Sequence, residues 1–418
     1  MLDLVGRFCR VHIEPGKAEA FFRLDTAEFV EDRVIGGRQG HSAGIEKWLA
    51  VIRTDGVGPK AFARLLKHFG SLDGVLGASV GELSKVKRIG YKTAERIAAG
   101  IGKFDVAKEL ARADKSGVWI VHAADKRYPP ALKAIYDPPP VLYVKGTLER
   151  SDSLAVAIVG SRRCSTYGAE QASRFAHMLA SAGFTIVSGM ARGIDTAAHR
   201  GALTAGGRTI AVQGCGLANV FPHENEKLFE HIAQSGACVS ELPLQYEPLS
   251  ENFPGRNRII AGLSMAVLVV EASGRSGALI TARAAMDNNR EVMAIPGKVD
   301  SPISTGTHRL IKDGARLVDC VDDVMETLGR IGDGLKDHVH KAAKDAQAKM
   351  DLPLFDASRL NLSDDERTVY EALDGEPKHI EEIIALTNLA AGAVNATVIS
   401  LRLKGLLKQL PGNLFIKK

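Results

Sequence analysis

Cysteine is scarce in this 418-residue chain and shows no pairing pattern. The five cysteines are scattered, and no two of them form a C-x-x-C pair. An odd, scattered set argues against a disulfide framework and a zinc site, and it fits a reducing compartment. No apolar run approaches the ~18–20 residues of a membrane helix, and the first residues lack the apolar core of a signal peptide. We therefore expect a cytoplasmic protein with no membrane span, metal site or cofactor.

The chain also has few aromatic residues and little net charge. Aromatic side chains make up 6% of the chain, and the formal net charge is only +5. This charge permits nucleic acid as a partner, but without a basic tail any DNA contact must come from local clusters of basic side chains. The length predicts two or three domains, and the ordinary share of apolar and charged residues predicts globular ones.

Patterning divides the chain into five segments. Residues 1–44 have no clear period and are interpreted as an N-terminal extension. Residues 45–112 predict a domain of short helices, and residues 113–325 alternate apolar strand runs with helical runs. Residues 326–357 are charged and poor in aromatics, which is typical of a linker. Residues 358–418 predict a small helical domain that closes in an apolar hairpin.

The helical segment contains an internal repeat that resembles a tandem helix-hairpin-helix motif, also described as a SAM-like domain. Residues 56–66 match residues 88–98 at a constant offset. A hairpin glycine lets the backbone approach a phosphate, which the free N–H groups of the next helix can bind. The residues predicted to grip a DNA backbone in this way are Gly58, Lys60, Gly90 and Lys92. The second copy has a single hairpin glycine, which weakens it, and protein contact is the alternative role.

The central segment carries six apolar runs, separated mostly by helical runs. The predicted strands are residues 154–159, 184–188, 208–212, 237–241, 265–271 and 291–295. Continuous apolar runs are expected of strands covered on both faces, and their alternation with helices predicts an α/β domain with a mostly parallel, doubly wound sheet. Ligands bind such sheets at the carboxyl ends of the strands.

Basic and glycine-rich sequences follow these strands, so we expect them to converge on one edge of the sheet. The set predicted to bind a polyanion there is Gly160, Ser161, Arg162, Arg192, Arg256, Arg258, Arg275, Ser276, Gly277 and Lys298. For Arg256 and Arg258 the alternative is an ion pair with a strand-end glutamate. For Arg192 the alternative is an ion pair with Asp195.

A nicotinamide cofactor is not expected, because the loop after the first strand is not G-x-G-x-x-G and the second strand ends without an acid for the ribose. A phosphate cradle stays open, since Gly160 and Ser161 precede a helix N-terminus. The enzymatic alternative is a nucleotide-phosphoribosyl hydrolase resembling the lysine-decarboxylase-like family, which needs a carboxylate near the ribose. Asp195, Glu241 and Glu271 could supply it, but the chain lacks the glutamate of that family's signature.

Five further motifs lie in residues 160–168, 188–195, 253–264, 276–281 and 296–298. In sequence and order they resemble the DNA processing protein A family (DprA, also called Smf), whose layout the flanking segments also match. The resemblance implies a Rossmann-like fold, binding and protection of single-stranded DNA, a homodimer, and loading of the RecA recombinase during natural transformation. Single-strand-binding protein is a further expected partner. The resemblance assigns a DNA contact to Arg162, and no nucleophile–base pair or P-loop indicates catalysis.

The last segment resembles a winged helix. Ser363 and Glu366 form a capping-box pattern at the start of its first helix. The third predicted helix carries Asn395, Ser400, Arg402 and Lys404. A helix that reads the major groove usually presents more basic residues than this one. Contact with DNA and contact with a protein therefore both stay open for this domain.

Overall fold

The computed structural model describes residues 40–329 and five shorter stretches of the C-terminal segment. Those stretches are residues 362–373, 376–387, 389–403, 406–410 and 414–417. Most of the predicted N-terminal extension and most of the predicted linker therefore lie outside the described residues, and their boundaries stay predictions.

Six helices form the N-terminal helical domain. They are α1 (Ile45–Ile52), α2 (Pro59–Phe69), α3 (Leu72–Leu76), α4 (Val80–Ser84), α5 (Tyr91–Gly100) and α6 (Val106–Lys115). Their apolar faces share one core, in which Leu49, Leu65 and Ile97 are fully buried. Because α2 and α5 follow the two hairpins of the repeat, the predicted tandem arrangement is confirmed.

The second hairpin keeps the geometry of the first although it lacks one glycine. Gly56 has a φ of 85°, and Arg88, the matching residue of the second copy, has a φ of 66°. Gly58 and Gly90 are the N-caps of α2 and α5, and neither helix has a side-chain cap. A left-handed arginine costs roughly 1–2 kcal/mol, so the packing of the repeat imposes this turn. The second hairpin therefore keeps the backbone geometry of the first, at a cost in free energy that glycine would avoid.

A nine-stranded sheet forms the core of the central domain. Its strands are β1 (Val118–His122), β2 (Val141–Gly146), β3 (Ala155–Val159), β4 (Thr185–Ser188), β5 (Thr209–Val212), β6 (Ala237–Ser240), β7 (Ala266–Val269), β8 (Glu291–Ala294) and β9 (Arg316–Leu317). Their order is β1-β2-β6-β5-β4-β3-β7-β8-β9, with β1–β2 and β2–β6 antiparallel and the other pairs parallel. The predicted mostly parallel sheet is confirmed, and β1, β2 and β9 extend its two ends.

Helices cover both faces of this sheet. They are α7 (Pro130–Lys133), α8 (Thr166–Ser181), α9 (Ile194–Thr204), α10 (Glu226–Ser235), α11 (Asn252–Leu263), α12 (Ala278–Asp287), α13 (Thr305–Lys312) and α14 (Val321–Thr327). Alternate residues of β3 enter different apolar clusters. Ala155 and Ala157 pack with residues of α11 and α12, whereas Val156 and Ile158 pack with α8 and α9. Burial on both faces explains the unbroken apolar run of β3.

The strand order reverses at β3. From β3 the chain moves outward through β4, β5 and β6, and it then returns to β7 on the other side of β3 and continues through β8 and β9. The carboxyl ends of β3 and β7 therefore form a topological switch point, where open α/β sheets bind their ligands. The loop that contains Arg162 follows β3, and the loop that contains Arg275 follows β7.

The helical domain packs against the β6 side of the sheet. Tyr143 and Leu244 share a buried apolar cluster with residues of α1 and α2. Arg53 Nη2 donates a hydrogen bond to Glu241 O at 2.7 Å, and the Leu244 N–H donates to Glu109 Oε1 at 2.7 Å. These contacts place the first hairpin beside the carboxyl end of β6.

The described residues of the C-terminal domain form three helices and a three-stranded sheet, which confirms the predicted winged helix. Its elements are α15 (Asp364–Glu371), β10 (Lys378–His379), α16 (Ile380–Thr387), α17 (Ala391–Leu403), β11 (Leu407–Leu410) and β12 (Leu414–Lys417). The capping box of Ser363 and Glu366 is present. Ser400 Oγ donates to Glu366 Oε1 at 2.6 Å, and Asn395 Nδ2 donates to Ala391 O at 2.8 Å. These two polar residues of α17 therefore stabilise the domain itself.

Within the described residues, no single helix is both long and apolar enough to cross a membrane. α16 and α17 reach the required length and composition only as a pair bent by 113°, and Ile383, Val394 and Val398 of this pair are buried in the C-terminal core. Arg402 on α17 is exposed, and Lys404 lies outside the described residues. DNA contact and protein contact both stay predictions for this domain.

Candidate nucleic-acid interface

Four exposed cations, which we call the loop cations, lie on the carboxyl edge of the sheet. Arg162 and Arg163 follow β3, Arg275 follows β7, and Lys298 follows β8. These three strands are neighbours, about 4.8 Å apart, and none of the four side chains forms an ion pair with any described residue. The structure thus places Arg162, Arg275 and Lys298 in loops that follow neighbouring strands on one edge of the sheet. Arg163 was not predicted from the sequence, although its position directly after Arg162 could have indicated that it lies on the same edge.

Arg162 lies over an aromatic platform formed by Phe221 and Phe253. The Arg162 Cζ atom is 5.2 Å from the centroid of the Phe253 ring. The Phe221 and Phe253 centroids are 5.7 Å apart, with the rings tilted by 44°. A Cβ at Gly214 would lie 2.7 Å from the Phe253 ring, so any other residue there would force the ring to shift. Half-buried rings beside an exposed guanidinium can stack a base while the cation meets its phosphate.

Arg256 does not fit its predicted role as a direct DNA contact, because its side chain is buried. Only 5% of the residue is exposed, and Nη1 donates to Gly189 O at 2.5 Å and to Val212 O. Its Cζ lies 5.9 Å from the Phe253 centroid. Burial lowers the pKa of Arg256 to about 10 despite the opposing effect of Asp195, which leaves it charged at neutral pH. Arg256 ties the ends of β4 and β5 together under the platform.

Arg258 is also a structural cation rather than an exposed one. Its Nη2 lies 2.5 Å from Glu241 Oε2, and its Nε lies 3.5 Å from Asp137 Oδ2. The side chain is only 13% exposed. The structure therefore favours the ion-pair alternative for Arg258, and the pairing residue is Glu241 rather than Glu271.

Arg192 is exposed but paired, and its partner is not the one expected. Its Nε and Nη2 donate to the two carboxylate oxygens of Glu224 at 2.7 and 2.6 Å. This contact lowers the pKa of Glu224. Asp195 instead accepts hydrogen bonds from the N–H groups of Gly189 and Ala191 at 3.2 and 3.3 Å. The Glu224 carboxylate offsets the charge of Arg192, so Arg192 attracts a phosphate less strongly than the loop cations do.

Ser276 and Gly277 lie in the loop after β7 but direct their polar groups into the protein. Ser276 Oγ accepts from the Ala278 N–H at 3.3 Å, and Gly277 O accepts from Asn257 Nδ2 at 3.4 Å. Their exposed neighbour, Arg275, remains available to a ligand. Within this loop, Arg275 is therefore the residue that we expect to contact a polyanion.

Glu271 fills the place where the sequence allows a phosphate cradle. Its carboxylate accepts from the Ser165 N–H at 2.9 Å and from Ser165 Oγ at 2.5 Å, at the N-terminus of α8. It packs so closely against Gly168 that no side chain fits there. Likewise, a Cβ at Gly160 would lie 2.9 Å from Glu271 O. Because a carboxylate already binds the helix N-terminus, phosphates must be met by the loop cations further out.

The three carboxylates considered for hydrolase chemistry are all engaged within the protein. Glu271 accepts hydrogen bonds from Ser165, the N-cap of α8; Glu241 pairs with Arg258; and buried Asp195 accepts backbone N–H groups. A general acid or base near a ribose needs an accessible carboxylate. This geometry argues against the nucleotide-phosphoribosyl hydrolase alternative.

Acidification should destabilise the protein through His199. Its ring is fully buried, Nδ1 lies 2.7 Å from Thr209 Oγ1, and burial lowers its pKa to about 3. An unfolded histidine titrates near 6.5, so the stabilisation is complete above pH ~6.5 and is lost as pH falls toward 3. From pH 7 to pH 5 the free energy of unfolding should fall by about 2 kcal/mol because of this residue.

The measurement is urea unfolding of the protein and of His199→Gln at both pH values. The variant lacks the titrating ring, so its free energy of unfolding should fall about 2 kcal/mol less over this interval. The same fall in both proteins would show that His199 does not contribute.

The two hairpins of the helical domain present their predicted residues differently. Lys60 lies 4.0 Å from Asp137 Oδ2, and its Nζ lies 5.0 Å from the Tyr136 ring centroid. Lys92 is exposed. Gly58 and Gly90 are exposed N-caps with space around them. The first hairpin is thus held against the central domain, and the second is not engaged by these contacts.

Three family models match the chain. The model described as DNA recombination-mediator protein A matches residues 119–329. The DprA winged helix domain matches residues 354–413, and the SAM-like helix-hairpin-helix tandem matches residues 49–103. The matches follow the same order as the domains of the structure.

Individual relatives agree with these models. Protein Smf of Synechocystis sp. is 36% identical over 385 residues, which cover 87% of this chain and 96% of that protein. Protein Smf of Escherichia coli is 48% identical over 210 residues, which cover 50% of this chain and 56% of that protein. The X-ray structure of DNA processing protein A from Streptococcus pneumoniae is 35% identical, with a TM-score of 0.60 over 69% of this chain and 98% of that one. The chain therefore belongs to the DNA recombination-mediator protein A family, also known as DprA or Smf.

Proposed function

We propose that the protein binds single-stranded DNA along the carboxyl edge of its sheet, protects it, and loads RecA onto it during natural transformation. The observation that carries this proposal is the set of exposed loop cations after β3, β7 and β8, one of which, Arg162, lies over the Phe253 ring of the aromatic platform. Membership of a recombination-mediator family supports it. RecA and single-strand-binding protein are the proposed protein partners, which places the function in the cytoplasm.

The chemistry of the edge suits a single strand better than a duplex. Loop cations can follow a flexible phosphate backbone, and the platform offers a ring face to any base that leaves the stack. Arginine and lysine contacts to phosphate carry no sequence information. We therefore propose binding that is tolerant of sequence and dominated by phosphate contacts.

A mediator has to hold a strand while leaving part of it accessible to RecA. Several moderate contacts on an open edge meet this requirement better than a closed pocket. Two such edges in a homodimer would raise avidity without any new contact, because the second binding event becomes intramolecular. The proposal involves no catalytic step.

Oligothymidylate should bind more tightly than duplex of the same length, with a strong salt dependence. The log–log salt slope should be roughly −0.7 for each phosphate neutralised on the single strand. Fluorescence anisotropy over a salt series measures both quantities. Equal affinity for duplex, or a response that is flat in salt, would contradict the proposed binding mode.

The mediator step needs its own assay. The purified protein should hydrolyse no ATP, should sediment as a dimer, and should accelerate RecA filament assembly on strands coated with single-strand-binding protein. DNA binding without any effect on RecA assembly would refute the mediator step and leave the DNA-binding step intact.

A further inference from the structure

The backbone segment that carries two of the loop cations is held at both ends by a single residue, Glu271. This segment, residues 160–165, follows β3, and we call it the arginine loop because it contains Arg162 and the arginine after it. At its start, the Ser161 N–H donates a hydrogen bond to Glu271 O at 2.7 Å. At its end, the N–H and Oγ of Ser165 donate to the Glu271 carboxylate at 2.9 and 2.5 Å. The main chain of Glu271 therefore holds one end of the loop, and its side chain holds the other.

Further contacts restrict the arginine loop between these two ends. Ser161 Oγ accepts a hydrogen bond from the Arg163 N–H at 3.1 Å, and Ser161 O accepts one from the Ile194 N–H at 3.2 Å. A Cβ at Gly193 would lie 2.3 Å from Ser161 O, so the loop after β4 packs directly against the arginine loop. In this backbone conformation Arg162 Cζ lies 5.2 Å from a ring centroid of the aromatic platform. The position of Arg162 therefore depends on a loop that is ordered before any ligand binds.

The Glu271 carboxylate is buried without a cation beside it. Only 4% of the residue is exposed, and it forms no ion pair with any described residue. Burying a carboxylate is unfavourable unless hydrogen bonds or a cation compensate for the lost water. Here the compensation comes from Ser165 at the N-terminus of α8, the same residue that ends the arginine loop. Removing this carboxylate would therefore release one end of the loop without breaking an ion pair.

We propose that Glu271 is a positioning residue for the binding of single-stranded DNA, because it holds the arginine loop in the conformation from which Arg162 meets a phosphate. Glu271 is buried and does not itself touch DNA. An arginine on an ordered loop loses less conformational entropy on binding than one on a free loop. Glu271 also lies in the chain segment that leads from β7 to Arg275, so it joins the backbones of two cation-bearing loops. The inference rests on the proposed binding of single-stranded DNA at this edge.

Glu271→Ala should weaken binding of an oligothymidylate of about 16 nucleotides by about tenfold, the cost of ordering roughly one loop residue when the DNA binds. Glu271→Gln should bind as the unmodified protein does. Its amide oxygen accepts from the Ser165 N–H and its NH₂ group donates to Ser165 Oγ, so both contacts are kept without the charge. Fluorescence anisotropy measures both affinities. A Glu271→Gln variant that binds as weakly as Glu271→Ala would overturn the positioning role.

Glu109→Ala is the matched control for general destabilisation. Glu109 is also 4% exposed, and its Oε1 accepts a hydrogen bond from the distant Leu244 N–H at 2.7 Å. It lies on α6 in the helical domain, so its removal leaves the contacts of the arginine loop in place. Glu109→Ala should therefore bind the oligothymidylate normally. An equal loss of binding in Glu109→Ala and Glu271→Ala would show that any missing buried carboxylate has this effect, and it would refute the inference.

A double-mutant cycle tests whether Glu271 acts through Arg162. Arg162→Ala alone should weaken binding about tenfold, because one charge-assisted contact is lost. The variant that combines Arg162→Ala with Glu271→Ala should bind no more weakly than Arg162→Ala, since the loop then has no Arg162 side chain to position. Two losses that multiply to about a hundredfold would mean that Glu271 acts independently of Arg162, which contradicts the proposal.

Ser165→Ala tests the same contact from its other partner and replaces Glu271→Ala if that variant does not fold. It removes the hydroxyl group that donates to Glu271 but keeps the backbone N–H at the same position. Binding should weaken severalfold when Arg162 is present and should not weaken further when Arg162 is replaced by alanine. Normal binding by folded Ser165→Ala would count against the role of Glu271.

Arg162→Ala separates failure of this inference from failure of the proposed function. If Arg162→Ala weakens binding while Glu271→Ala and Ser165→Ala bind normally, the edge still binds DNA and only the positioning role is refuted. If Arg162→Ala itself binds normally, the proposed function at this edge fails.

Discussion

Arg162→Glu should weaken binding of oligothymidylate about a hundredfold, because a charge-assisted contact of roughly 1.5–3 kcal/mol is lost and repulsion is added. The side chain is exposed and lies over the Phe253 ring, and it has no ion-pair partner among the described residues. Its removal therefore leaves no buried charge behind. The unfolding temperature should not change, and anisotropy titration together with thermal unfolding measures the two effects.

Arg283→Glu is the control for this prediction. Arg283 is exposed on α12 and is not one of the loop cations. Arg283→Glu therefore changes the net charge by the same amount as Arg162→Glu but at another position. A general electrostatic effect would weaken both variants equally, whereas a site at Arg162 predicts a much larger loss there. Normal DNA binding combined with early unfolding of Arg162→Glu would make Arg162 a structural residue and would refute the site.

Arg256→Met should lower the free energy of unfolding by about 3–5 kcal/mol, because two buried hydrogen bonds from a charged donor, roughly 1.5–3 kcal/mol each, are lost. The substitution leaves the carbonyl groups of Gly189 and Val212 without their donor and leaves buried Asp195 without its neighbouring cation. Methionine matches the arginine side chain only as far as Nε, so the buried volume of the guanidinium is lost together with its hydrogen bonds. Urea unfolding followed by circular dichroism measures it.

Arg192→Met is the matched control, because Arg192 was predicted alongside Arg256 and is exposed. Its ion pair with Glu224 is in solvent, where such pairs contribute little to stability. The midpoint of urea unfolding should therefore stay close to that of the unmodified protein. If Arg256→Met were as stable as Arg192→Met, the buried hydrogen bonds of Arg256 would not be the link between β4 and β5 described here.

Much of the fold could be predicted because it depends on local patterns. The run at residues 154–159 predicts a strand buried on both faces, and β3 is one. The repeat predicts two hairpins, and both are present. The antiparallel strand β2 was not predicted, although its first four residues are buried, because nothing local indicates that a strand will pair with a distant one such as β6.

The site could be predicted only in part. Residue types after the strands placed Arg162, Arg275 and Lys298 on one edge, since carboxyl ends of parallel strands share an edge. The same reasoning could not separate exposed arginines from buried ones. Arg256 and Arg258 stand two residues apart on α11, yet one binds backbone carbonyls inside the protein and the other pairs with Glu241.

Periodicity and residue type were enough to predict the class of sheet, the tandem hairpins and the edge on which the basic side chains lie, because these signals act over short stretches of chain. Which cations remain available depends instead on contacts between distant residues. Glu224 forms an ion pair with Arg192, Glu271 accepts a hydrogen bond at the N-terminus of α8, and Asp137 forms an ion pair with Arg258. Each of these acids comes from a distant part of the chain. Charge partners and burial depend on distances between residues far apart in sequence, and those distances exist only after the layers have packed.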